Sequence, residues 1–193
     1  MSSLITNGRY PPIPGATLND VTSEERSSAI DFVNRHNLIF EEFDHEKMLN
    51  TFLPDAVVYH THGTIRGHKD MKDFFVNTYG AFIPGVSRHA TNHVVDRDED
   101  GGVIVRYQEC LIRYGWQGDD LAATNGRDTV REDGLPAIWW IGRSIDRLRM
   151  TPDGWKIFER HLGAPFRNGT LDHDKDPSQG QGSRLSGITS RLP

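Results

Sequence analysis

The apolar positions of "VTSEERSSAIDFVNRHNLIFEEF" recur at helical spacing. Ile30, Phe32, Val33, Ile39, Phe40 and Phe43 form one broad stripe, and Thr22 or Ser23 stands where an N-cap is needed. "DHEKMLNTFL" reads as a second, short helix, capped by Asp44 and stopped before Pro54. The period then changes. "DAVVYHTHGTIRG" alternates as a strand does, which sets His60 and His62 on the same side as Val58. Helical spacing returns in "GHKDMKDFFVNTYGAF", with Met71, Phe74, Phe75 and Tyr79 on one side. Beyond Pro84 and Gly85 come two pairs of long strands. One, "SRHATNHVVDRDEDGGVIVRYQECLIRYGW", folds around an acidic glycine turn, and the other, "LPAIWWIGRSIDRLRMTPDGWKIFERHLG", is hinged on "TPDG". The order α-α-β-α-β-β-β-β predicts an α+β domain in which a strongly curved antiparallel sheet wraps the helices into a cone.

The two ends lack this patterning. Residues 1–20 are rich in proline and read as an extended arm, 21–167 as the folded domain, and 168–193 as a disordered tail. Residues 117–134 are too polar for a core, and a loop of that length in a compact domain is functional or disordered. The polar ends explain why only 36% of the 193 residues are hydrophobic and why the mean hydropathy is -0.57. With 22 basic against 27 acidic residues the net charge is -5, which argues against nucleic-acid or anionic-membrane partners. A single cysteine, Cys110, excludes an intramolecular disulfide and fits a reducing compartment. No signal peptide or membrane span is recognisable, so the expectation is a soluble cytoplasmic protein.

The candidate chemistry is carried by polar residues on otherwise apolar elements. His60 and His62 are unusual filling for a core but suit a cavity, because a neutral imidazole can both give and take a proton. On the strand after the third helix His89, Thr91 and His93 share a face unless a bulge intervenes. In "VIVRYQECLIRYGW" one parity turns Cys110, Ile112, Tyr114 and Trp116 inward, and the other turns Tyr107, Glu109 and Arg113 inward. In "AIWWIGRSIDRLRM" the smaller, more polar set Trp140, Gly142, Ser144 and Asp146 suits a cavity floor. The set Trp139, Ile141, Arg143 and Ile145 suits a dimer face. Arg35 and Glu41 interrupt the first helix's apolar stripe, where an acid behind a histidine would raise its pKa. His60-x-His62 with His89 or His93 could surround a metal, but no carboxylate completes the set, and no metal or other cofactor is expected. Nucleotide-binding, acyl-serine and paired-cysteine motifs are missing from the sequence.

The element order, with "FDHEKMLNTFLPDAVVYHTHGTIRGHKDMKDFF", "RHATNHVVDRDEDGGVIVRYQECLIRY" and "RLRMTPDGWKIFERHL", resembles the SnoaL-like branch of the NTF2-like superfamily. That branch includes scytalone dehydratase and polyketide cyclases. The resemblance spans residues ~22 to 165 and implies a cone with a dead-end pocket, and commonly a homodimer. Laid on the scytalone dehydratase pattern, the catalytic histidine falls on His89, the second histidine on Tyr114, and a water-holding tyrosine on His60. Its helical aspartate falls near Glu41, and its pocket serine and asparagine near Gly142 and Ser144. Asp146 resembles the acid of the cyclases. The implied function is cofactor-independent dehydration, isomerisation or cyclisation of a polyketide- or terpenoid-like molecule. In it His89, Tyr114, His60, Glu41 and Asp146 do the proton chemistry. Arg35, Phe40, His62, Phe74, Phe75, Cys110, Ile112, Trp116, Trp140 and Ser144 surround the substrate. The alternatives are a small-molecule-binding or adaptor module, and an epoxide hydrolase built on Asp146 and Arg35.

Overall fold

The structure, a computed structural model, describes residues 12–16, 20–117, 119, 130–163 and 165–173. Most of the N-terminal arm, most of the 117–134 loop and the tail beyond His173 lie outside the described residues. Helix α1 (Ser23–Glu42) starts at a complete capping box: Thr22 Oγ1 accepts from Glu25 N–H, and the Glu25 carboxylate accepts from Thr22 N–H. It stops at Phe43, which takes the left-handed conformation. Asp44 accepts from the N–H groups of Glu46 and Lys47 and so caps α2 (His45–Asn50). The chain then enters β1 (Phe52–His60), so Pro54 lies inside a strand rather than past a helix end.

"DAVVYHTHGTIRG" is a hairpin rather than one strand. β1 turns at Thr61-His62 into β2 (Gly63–Arg66), with His60 paired to Gly63. Helix α3 (Gly67–Asn77) follows, then β3 (Val86–Arg97), β4 (Val103–Arg113), β5 (Ala137–Thr151) and β6 (Gly154–Leu162). A short β7 (Phe166–Arg167) pairs with β5 beyond the end of β6. The resulting seven-stranded sheet runs β2-β1-β6-β5-β4-β3 and is antiparallel except where β1 meets β6 in parallel. Three helices lie on this open, curved sheet. Val33 and Phe40 of α1, Met48 of α2, and Met71 and Phe75 of α3 pack against Val58, Val105, Leu148 and Ile157. A second cluster, Val86, Leu111, Trp116, Leu135, Trp139 and Leu171, fills the other end of the sheet. Leu171 is buried and sits on a 3-10 turn, so the ordered chain continues past residue 167, where the tail was expected to begin. No described helix is long and apolar enough to cross a membrane.

Two irregularities decide which side chains face the helices. In β3 the register slips between Thr91 and Val94, and Asn92 takes φ 56° to accommodate the extra residue. Trp139 is the extra residue in β5, where Leu111 pairs with Trp140 but Ile112 pairs with Ile138. Trp139 therefore turns inward beside Trp140 instead of joining an outer dimer face.

Candidate functional site

The concave sheet face lines a partly open cavity of about 520 Å³. His60 and His62 come to its wall from the β1–β2 hairpin, Tyr79 and Phe82 from the segment after α3, and Arg88 from β3. Glu109 and Leu111 come from β4, Trp139 and Trp140 from β5, and Arg167 from β7. A narrower recess of about 20 Å³ adjoins it, sharing His60, Tyr79, Arg88 and Leu162 and reaching Phe40, Phe74, Phe75 and Arg160.

The tight hairpin turn explains the histidine pair. His62 N–H donates to His60 Nδ1 at 3.1 Å, which leaves the ring proton of His60 on Nε2. That nitrogen lies 3.1 Å from Tyr79 Oη and donates to it. Burial first, then the charges of His62, Arg88 and Arg160, push the His60 pKa down to about 3, so the ring is neutral at pH 7. Burial also raises Tyr79, which stays a phenol. Among the described residues Tyr79 Oη makes no other hydrogen bond, so its proton is available to a ligand.

Arg88 and Glu109 form a buried ion pair across β3 and β4. The second carboxylate oxygen of Glu109 accepts from Ser144 Oγ at 3.0 Å. Arg88 also donates to Asn37 at 3.4 Å and lies 5.4 Å from the centre of the Phe40 ring. The opposite wall is flat and aromatic, with Phe82 and Trp139 stacked at 6.2 Å. Trp140 folds back over Gly142, where a Cβ would stand 2.7 Å from the indole. The cavity thus offers one phenolic donor, one carboxylate, two guanidinium groups (Arg88 and Arg167) and a stacking surface in one lining.

Behind this wall lies a second polar network with little open space around it. Arg160 grips Asp146 through two hydrogen bonds of 2.6 Å, and Tyr107 Oη donates to Asp146 at 3.0 Å. Arg160 also donates to His36 Nε2, so His36 Nδ1–H donates to Thr51 Oγ1 at 2.9 Å. Burial lowers His36 well below its usual range, assisted by Arg160 and Arg88. Burial alone would lower Arg160, but the Asp146 carboxylate outweighs it and holds the guanidinium's pKa up. Every member of this network reaches a partner, which is what a buried charge requires.

The expected site divides accordingly. The structure brings His60, His62 and Trp140 into the cavity wall and Phe40, Phe74 and Phe75 into the recess. Ser144 stands behind Glu109, and Asp146 is sealed against Arg160. His89 and Tyr114 are both outside the cavity wall. His89 is exposed on the outer face of β3, where it pairs with Cys110, and Tyr114 is 38% exposed beyond the end of β4. The other β4 parity holds, with Tyr107, Glu109, Leu111 and Arg113 inward and Cys110 and Ile112 outward. Inward charge is tolerated because each one is answered. Glu109 meets Arg88, and Arg113 donates to the Leu171 carbonyl at 2.8 Å between the Trp116 and Trp139 rings. Trp116 belongs to that cluster rather than to the cavity. Glu41 binds the Arg88 N–H and Ser87 hydroxyl and pins α1 to β3. Arg35 pairs with Asp31 on the exposed face of α1, which removes the arginine the epoxide-hydrolase alternative relied on. No third His, Cys, Asp or Glu joins His60 and His62 in a metal-holding group among the described residues. Arg88, Glu109, Tyr79, Trp139 and Arg167 are additions. For Glu109 the signal was the second β4 parity, which already turned it inward.

The buried histidines make stability depend on pH. His60 is held near 3 and His36 is also held well below its usual range, whereas in the unfolded chain both titrate near 6.5. The unfolded state therefore binds more protons below that value, and folding stability must fall as pH drops from about 6.5 toward 3. Each histidine contributes up to about 1.4 kcal/mol per pH unit. The lowered carboxylates, such as Glu25 at about 2, lose their contribution as pH falls from 4.5 toward 2 and so overlap only the acid end of the histidine window. Urea unfolding between about pH 7 and pH 5 reads the histidine contribution, and His60→Gln is expected to flatten it.

A family model described as a SnoaL-like domain matches residues 21–161. No curated protein matches the chain. Among solved structures, Aln2 from a Streptomyces species superposes with a TM-score of 0.59 at 14% identity, over 74% of this chain and 91% of that one. A putative scytalone dehydratase from Novosphingobium aromaticivorans gives 0.57 at 18% identity, over 78% and 92%. A protein of unknown function with a cystatin-like fold from Nostoc punctiforme gives 0.58 at 14%, over 74% and 92%. At these identities the structures establish the fold, and the match over residues 21–161 establishes the family: the chain belongs to the SnoaL-like family of the NTF2-like, cystatin-like fold.

Proposed function

We propose that the protein is a cofactor-independent acid–base enzyme acting on a flat, oxygenated small molecule of polyketide or terpenoid type. The observation that carries this reading is the presence of Tyr79, His60, Arg88 and Glu109 in the lining of one cavity with Phe82, Trp139 and Trp140. A carbonyl stacked on the indoles would accept the free Tyr79 proton, with His60 Nε2–H supporting the phenol from behind. Glu109 would take a proton from the carbon next to that carbonyl, and Arg88 would stabilise the enolate that forms. Loss of a β-hydroxyl as water, protonated by Glu109 with the proton it has taken, then gives dehydration; reprotonation of the enolate elsewhere gives isomerisation, and its attack on a second carbonyl gives ring closure. The relatedness to a putative scytalone dehydratase supports this class of chemistry. The test is exchange of the protons next to the carbonyl of 1-tetralone in D2O, followed by NMR. The wild type should accelerate it and Glu109→Gln should not, and equal rates for both would refute the reading.

A binding module is the second reading, and one observation favours it: both ring nitrogens of His60 are already engaged, one by backbone N–H and one by Tyr79. In the enzyme reading His60 orients and polarises Tyr79 without itself changing protonation, so the exchange assay separates the two.

We also propose a homodimer through the outer sheet face. Exposed Ile138, Ile141 and Phe166 adjoin Cys110 and Ile112 across β4, β5 and β7, forming a continuous apolar strip. Sedimentation velocity should give a dimer, and Phe166→Glu with Ile141→Glu a monomer. A monomeric wild type would contradict the proposal.

A further inference from the structure

The strand β7 brings one residue into the cavity that the acid–base reading does not use. In its two-residue ladder Phe166 pairs with Ile141 and faces out, while Arg167 pairs with Trp140 and faces the cavity. β7 is held in place from both sides. Asn168 N–H donates to the Trp139 carbonyl at 2.8 Å, and Leu171 is buried with its carbonyl on Arg113. The position of Arg167 is therefore set by backbone pairing rather than by a loose tail.

Arg167 is only partly engaged. Its side chain is 52% exposed, and it makes no hydrogen bond among the described residues. Its ion-pair partner Asp172 stands 3.3 Å from Nε and accepts its hydrogen bond from the Trp139 indole instead. Arg88, by contrast, is buried and spent on Glu109. Counting charges on the cavity wall gives two guanidinium groups, Arg88 and Arg167, against one carboxylate, Glu109. The Arg167 charge is answered from outside that lining by Asp172 at Nε, and its two terminal nitrogens carry no hydrogen bond among the described residues. His62 records the same field: burial first, then the charge of Arg167, holds its pKa below the usual range.

From this placement we propose that the ligand carries a carboxylate, received at the cavity rim by the guanidinium fork of Arg167 while its flat body stacks on Trp140. The proposal rests on the reading of the cavity as the ligand site. A carboxylate needs only the two terminal Arg167 nitrogens that carry no hydrogen bond among the described residues, whereas a phosphate dianion would meet Asp172 and Glu109 with no second uncommitted guanidinium to offset them. The neutral end of such a ligand would reach Tyr79 and Glu109. The fork therefore fixes which end of the molecule enters first.

Calorimetric titration with 2-naphthoate and its neutral isostere 2-naphthamide tests this directly. The acid is expected to bind about tenfold more tightly than the amide at low salt, with the advantage shrinking at high salt. Arg167→Gln should abolish the advantage while leaving amide affinity unchanged, and Arg167→Lys should retain part of it. Arg167 is exposed on a rim strand, so these variants should keep the parent's unfolding curve. Equal affinity for acid and amide, or an acid preference that survives Arg167→Gln, overturns the carboxylate assignment and leaves the cavity reading intact. Failure of both probes to bind overturns both.

Discussion

Asp146→Ala is expected to destabilise the fold by about 3–5 kcal/mol, the range for stranding one charge of a buried pair. Asp146 is fully buried, and its two oxygens receive Arg160 twice and Tyr107 once. Removing it leaves a guanidinium with nothing anionic beside it in the same enclosure. His36 cannot take over, because it is neutral and already accepts from Arg160. The effect should appear as a large drop in the urea midpoint with little change in slope. Asp31→Ala is the contrast. Its ion pair with Arg35 is mostly exposed, and such pairs contribute from nothing to about 1 kcal/mol. Similar midpoints for the two variants would show that the Asp146–Arg160 network is not the anchor described.

Glu109→Gln is expected to lower turnover by roughly 10²–10⁴, the usual contribution of a positioned acid or base. Glutamine keeps the shape and can still accept from Ser144, but it cannot take a proton from carbon. It also leaves Arg88 without its counter-charge, so some stability is lost and the unfolding curve must be measured beside the rate. Tyr79→Phe leaves the His60 Nε2–H without its acceptor, so its unfolding curve must be measured as well. It removes one donor to the developing oxyanion, with an expected loss of about 10²–10³ in turnover and little change in ligand affinity. His89→Asn and Tyr114→Phe should turn over as the parent does, since neither reaches the cavity. If His89→Asn were inactive and Tyr79→Phe active, the chemistry would lie on the other face of the sheet.

That contrast also marks where sequence reasoning stops. The helices, the curved sheet and the turn at Thr151–Gly154 were legible because apolar period and turn chemistry are local. His60 and the aromatic residues of the recess were legible for the same reason, each sitting on the apolar side of its own element, and Trp140 because it shares the smaller, more polar side of its strand with Gly142 and Ser144. Parity in β4 was not. Placing Tyr114 in the cavity required Glu109 and Arg113 to face water, and nothing local says that Arg88 will neutralise one while two indoles and a carbonyl receive the other. The bulge at Asn92 and the doubled inward tryptophans at Trp139 and Trp140 shift the register by single residues, which moves side chains between faces. Arg167 was hidden differently. It lies at the last residue assigned to the domain, and its role depends on β7 pairing beyond the end of β6.

The proposed chemistry places the ligand in the cavity on the concave face. The outer face offers a competing concavity of similar size, about 520 Å³, lined by Ile13, Asn92, Arg106, Gln108 and Arg143. Mapping of amide chemical shifts in the isotope-labelled protein during titration with 1-tetralone distinguishes them most directly. The largest shifts are expected on the segments carrying His60 to His62, Tyr79 to Phe82 and Trp139 to Trp140. Shifts concentrated on Ile13, Asn92, Gln108 and Arg143, with the Tyr79 segment unmoved, would contradict that placement.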